Sequence, residues 1–285
     1  MLNSINSPLF FSIFFPALTV LGCVPLLRWA TNGDKQDIVG SAGVGLACFI
    51  GAICAFGRVG EPFQFGVSAL VYGIGFVTVA SLMVCLFFNN NTLRLLFTFI
   101  ICLVWVWIMT GMALAADMLM KASLAGSVLL LLSVCFVWKG RAQYYHEEKT
   151  WSCILAPLVL AGTLAGYAFG LGDQMAGYFA VALAIVLVLM IVWTLPVTPG
   201  ILHENAFLPV YFCLAALTWE MWLQGHLPLL SILCLVLVLF SDAAARRVVE
   251  TLPIWLQKTD PLVRIVISFL PVGLSIVFFD IFRSL

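Results

Sequence analysis

The sequence predicts an all-α protein: a polytopic transmembrane helical bundle of eight to ten spans, with its N-terminus outside. Three observations carry this. Of the 285 residues, 64% are hydrophobic and 9% charged, and the mean hydropathy is +1.15. Soluble domains run at about 45–50% apolar and about 25% charged, so lipid must be the solvent for most of this chain. The apolar residues also gather in runs close to the ~20 residues that one helix needs to cross the hydrocarbon. Finally, lysine and arginine are spread unevenly over the connections between those runs. Strands are excluded because open edges would leave backbone groups unpaired in lipid, and the runs are too long and too uniformly apolar for barrel strands.

The first run, 8–27, has no basic segment before it and no small-residue cleavage site after it. It is expected to stay as a membrane helix rather than be removed as a signal peptide. The runs 38–57 and 67–88 follow, joined by a turn that carries Arg58, Gly60, Glu61 and Pro62. Next come 95–115 and 119–138, and then the polar stretch "KGRAQYYHEEKTW" at 139–151. Beyond it lie 152–172 and 176–195. The runs 207–223 and 227–245 flank Gln224, Gly225 and Pro228, which fit either a tight hairpin or one broken helix. After them, Val248, Val249, Leu252, Trp255 and Leu256 recur at helical spacing against Arg246, Arg247, Glu250 and Lys258. That pattern predicts a helix lying on the inner leaflet, bent or interrupted by Pro253. The run 262–282 completes ten spans.

With ten spans, the odd-numbered connections hold ten of the basic residues (Arg28, Lys35, Arg94, Lys139, Arg141, Lys149, Arg246, Arg247, Lys258, Arg264) and the opposite side three (Arg58, Lys121, Arg283). Basic loops stay in the cytoplasm, so 139–151 and 246–258 are expected inside. The net charge of zero gives no footprint for a nucleic-acid partner.

The nine cysteines form no CxxC or other close pair and read as small packing hydrophobes, so neither an iron–sulfur cluster nor structural zinc is expected. His146, His203 and His226 all lie in polar connections, which leaves no pair of span histidines for a b-type haem.

Charges within a bilayer are costly, and most here sit at span ends. Glu220, bracketed by Trp219 and Trp222, is the exception, about one turn below the outer surface. Two readings stand side by side. Glu220 is an interfacial acid between belt tryptophans and "GRVGEP" a solvated turn, or Arg58, Glu61, Glu220 and His226 form a polar mouth over an apolar bundle. Such a mouth could hydrogen-bond a lipid-soluble redox carrier and take its protons.

Several stretches give the chain a likeness to a known family. Arg58-Val59-Gly60-Glu61-Pro62 follows the second span, Gly66-Val67-Ser68-Ala69-Leu70 comes next, and the fourth span, "LRLLFTFIICLVWVWIMTGMALA", is rich in Trp and Met. In these stretches the chain resembles the membrane anchor subunit family of bacterial dimethyl sulfoxide reductases. That family has a histidine where Arg58 stands and an acid near Val71-Tyr72-Gly73. Its later Glu-x-x-x-Arg pattern corresponds either to Glu220 with Gln224 or to Asp242 with Arg246.

The resemblance covers about residues 8–223 and divides the chain into an eight-span anchor-like bundle, 1–223, and a C-terminal part, 224–285. The second part holds one or two spans and the interfacial amphipathic segment. The resemblance implies a non-catalytic anchor in a bacterial inner membrane. Such an anchor tethers an iron–sulfur subunit and a molybdopterin catalytic subunit and passes them electrons from menaquinol, binding no cofactor of its own. Arg58 would orient the quinone head group, with Glu61, Glu220 and His226 around it and Glu61 or Glu220 accepting protons. The alternatives are a small-solute transporter and a non-redox membrane scaffold.

Overall fold

The computed structural model describes residues 8–31, 35–56, 67–110, 126–138, 152–194, 202–251, 253 and 259–284. Ten helices, and no strand, occur among them. In chain order they are α1 (Pro8–Ala30), α2 (Gln36–Phe56), α3 (Val67–Phe87), α4 (Asn91–Met109), α5 (Gly126–Trp138), α6 (Ser152–Gly170), α7 (Gln174–Thr194), α8 (Glu204–Leu223), α9 (Leu229–Thr251) and α10 (Asp260–Ser284). Eight are long and apolar enough to cross a membrane; α5 and the Ile154–Gly170 part of α6 are shorter apolar helices. The chain is a multi-pass membrane protein.

Helix α8 is the axis of the bundle. Every side chain from Asn205 to Trp219 is buried, against α2, α3, α6, α7 and α9. Close approach around this axis needs small residues, because lipid-solvated helices associate through packing rather than through the hydrophobic effect. Gly45 of α2 lies against Thr78 of α3 and Pro209 of α8, and Gly51 lies against Pro16 of α1 and Ala182 of α7. Gly73 of α3 receives the face of Trp105, whose ring in turn meets Phe212 of α8 edge-on at 5.3 Å. Val71 is buried beside it. An acid at either position would be an unpaired charge in the core.

Polar side chains within the spans mostly satisfy themselves. The hydroxyls of Thr78, Thr98, Thr110, Thr163 and Thr218 each donate to the carbonyl four residues earlier. The eight described cysteines are free thiols, five of them buried.

Residues 224–228 form the turn between two separate helices, the first of the two arrangements expected, and not a break within one. One stretch differs from expectation. The basic stretch after Ser241 does not start a separate surface helix: α9 runs on through Arg246 and Arg247 to Thr251, and Pro253 follows its end. Leu252 and 254–258 lie outside the described residues.

One end of the bundle is fixed by side-chain bonds. Arg28 pairs with Asp37 at 2.9 Å, Lys35 donates to the Leu86 carbonyl in the last turn of α3, and Arg94 to the Phe88 carbonyl just beyond it. Cations there oppose the negative end of the helix dipole. At the same end, the His203 N–H donates to Ser41 Oγ at 2.8 Å and Asn205 Nδ2 to the Ile38 carbonyl at 2.8 Å. Helices α2 and α8 therefore start side by side and run parallel, so Glu220 lies at the opposite end.

Candidate functional site

At that opposite end α8 closes with a left-handed glycine. Gly225 has φ 73°; its N–H donates to the Trp222 carbonyl and that of His226 to the Met221 carbonyl, both at 2.9 Å. This is the Schellman arrangement, which a residue with a Cβ adopts only under strain. It turns the chain so that His226 comes back over the last turn of α8. Gln224 Nε2 donates to Glu220 Oε1 at 3.2 Å. Glu220 Oε2 and His226 Nδ1 are both buried and bond to nothing among the described residues.

Helix α6 ends in the same way. Gly172 has φ 82°, its N–H donates to Phe169 and that of Asp173 to Ala168. Asp173 Oδ1 then accepts from the Ala176 N–H and caps α7. Asp173 lies within electrostatic reach of Glu220, so the α6–α7 and α8–α9 turns adjoin. Helix α2 arrives beside them, its Phe56 ring 5.3 Å from that of Phe179 near the start of α7.

Of the four residues expected to share a site, the structure thus places Glu220 and His226 at one helix end. Arg58 and Glu61 lie outside the described residues, in the segment that leaves α2 at this same end. Trp219 departs from the belt expected of it: it is fully buried, because α8 is enclosed on all sides up to that residue, and Trp222 is half-buried beside it.

A second polar group lies towards the other end, between α9 and α10. Arg264 is buried and held by two carboxylates, Asp242 of α9 through Nη1 and Asp260 through Nε at 2.7 Å. Arg246 Nη2 stands 3.9 Å from Asp242 Oδ2. The seam between these helices continues through the Ser241–Ser268 hydroxyl pair at 2.7 Å. It ends at Ser231 and Ser275, each hydroxyl donating to the other's carbonyl, with the Tyr167 hydroxyl of α6 donating to Ser275 at 3.0 Å. Sequence reasoning noticed Asp242 and Arg246 but missed Arg264. The signal available was the Asp260/Arg264 spacing on one helix face.

Both pairs considered for the Glu-x-x-x-Arg pattern, Glu220 with Gln224 and Asp242 with Arg246, are therefore formed, at different levels of the bundle. No group of three His, Cys, Asp or Glu side chains stands ready to hold a metal among the described residues. The sequence matches no known protein family and no curated protein, and the structure matches no solved structure.

Proposed function

We propose that this chain is the membrane anchor subunit of a dimethyl sulfoxide reductase-like molybdoenzyme complex in a bacterial inner membrane. It takes electrons from menaquinol at its outer face and passes them to an iron–sulfur subunit and a catalytic subunit. The observation that carries this reading is the pair of unsatisfied buried atoms, Glu220 Oε2 and His226 Nδ1, at the bundle end where α2, the helix that precedes Arg58 and Glu61 in the sequence, terminates. Buried polar atoms are normally partnered, so two open positions on one helix end leave room for a hydroxyl donor and acceptor. A hydroquinone supplies both. Glu220 takes a proton as the quinol is oxidised, and Arg58 holds the oxygen that becomes a carbonyl. The orientation rests on the ten-to-three distribution of basic residues.

The test is quinol oxidation by the assembled complex, normalised to anchor content. Arg58→Ala removes one charge-assisted hydrogen bond, worth roughly 1.5–3 kcal/mol, and should lower turnover about tenfold or more. Arg58→Lys should restore it in part, since the ammonium keeps the charge and loses the planar fork. Glu220→Gln should slow turnover more than it weakens binding, because the amide keeps the shape without the basicity. Wild-type turnover in both Arg58→Ala and Glu220→Gln would leave a solvated turn and an interfacial acid.

A further inference from the structure

We propose that the groove between α6, α7 and α10 holds the isoprenoid tail of the quinol whose head group meets Glu220 and His226; this rests on the quinol reading above. The groove encloses about 710 Å³. Its lining runs from Leu155 to Tyr167 on α6 and from Ile265 to Ile276 on α10. At 1.5 Å per residue that is about 18 Å, over half the ~30 Å hydrocarbon thickness. The only side-chain hydroxyls in the lining, those of Thr163 and Tyr167, are already spent on the Val159 carbonyl and Ser275. The groove therefore offers an occupant shape and no polar anchor.

Its floor is formed by two glycines exposed at the bundle surface, as Gly22 and Gly273 are elsewhere. Gly45, Gly51 and Gly73 each have a neighbouring side chain packed into the space their missing Cβ leaves. Gly162 and Gly166 have nothing within 4 Å of that space. Within the chain, no helix contact requires them to be small.

A slender branched chain suits an apolar groove of this length, because it asks for no polar anchor along its way. The groove also leads to the right place. Tyr167 lies one turn before the end of α6, and the turn beyond brings Asp173 into reach of Glu220. Ser275, bonded to Tyr167, is tied to Ser231, five residues after His226. A tail in the groove would thus leave its head group at the adjoining turns.

The experiment uses the full chain in phosphatidylcholine vesicles with two photoreactive probes, menaquinone with a diazirine on its tail and phosphatidylcholine with a diazirine on its acyl chain. The menaquinone probe should mark peptides from 155–167 and 265–276. In Gly162→Leu/Gly166→Leu, which fills open space and leaves internal packing intact, that marking should fall to the level of the lipid probe. Equal marking of the groove by both probes in the wild type would overturn the proposal in favour of ordinary boundary lipid. Unchanged marking in the filled variant would overturn it as well. A dimer that the filled variant abolishes would replace it with a helix-docking face. The head-group reading fails separately: Arg58→Ala and Glu220→Gln would then turn over normally while the menaquinone probe still marked the groove.

Discussion

Arg264 shows how a single buried charge is tolerated in this chain. It sits between Asp242 and Asp260, so its guanidinium is neutralised on two edges, and Arg246 stands beside the other oxygen of Asp242. Removing one member is therefore far worse than removing the interaction. Arg264→Ala leaves Asp242 buried without its main partner and should cost about 3–5 kcal/mol, read as a fall in thermal stability in detergent. Replacing the pair together, as Asp242→Leu with Arg264→Met, should recover most of that loss, since a buried ion pair contributes little over a well-packed apolar one. A single variant as stable as the wild type would mean that water reaches this pair. Glu220 is the contrasting case, with one oxygen bonded to Gln224 and the other to nothing described. The first group is closed by ion pairs, and the second leaves one buried oxygen open.

At the scale of the helices, two glycines that look alike in the sequence carry different demands. Gly225 is needed for its backbone, at φ 73°. Gly225→Ala should cost roughly 1–2 kcal/mol through the left-handed penalty, and Gly225→Asn less, in the same melting assay. Gly73 is needed for its missing side chain, because the Trp105 ring occupies that space. Gly73→Ala should cost about 1–3 kcal/mol through overpacking, whereas Gly166→Ala should be neutral or slightly stabilising. If all three glycines tolerated alanine equally, the close packing of α3 on α4 would be in doubt.

The helices themselves were legible because hydropathy and length are properties of each segment alone: the run 38–57 became Gln36–Phe56, and Gly225 marked a turn. The extension of α9 was misread because Ala-Ala-Ala-Arg-Arg continues a helix as readily as it starts one at a membrane surface. The site was only half legible. Glu220 and His226 share a helix end by sequence alone, but that the turn at Asp173 adjoins them depends on which helices pack together. Arg264 had a visible partner on its own helix, Asp260; its other partner, on α9, could be found only in three dimensions.

For the molecule as a whole, the basic residues at one end predict the orientation. A reporter fused within 139–151 should register the cytoplasm and one fused after Asp173 the periplasm; the reverse would invert the bundle and move Glu220 to the inner face. The enclosure of α8 has a consequence for how the protein is made. A helix that meets lipid must be apolar on that side, but α8 meets almost none, and it is the least apolar of the eight long spans, with Asn205 at its start and Glu220 near its end. On its own it would enter a bilayer reluctantly. By the time it is synthesised, α2 and α3 are already in the membrane, and the Ile38 carbonyl and the Ser41 hydroxyl wait for Asn205 and the His203 N–H. The order of the chain is thus also an order of assembly. A ribosome that stopped after α7 would leave a helix-sized cleft open in the membrane, the form of this protein that quality-control proteases should find first.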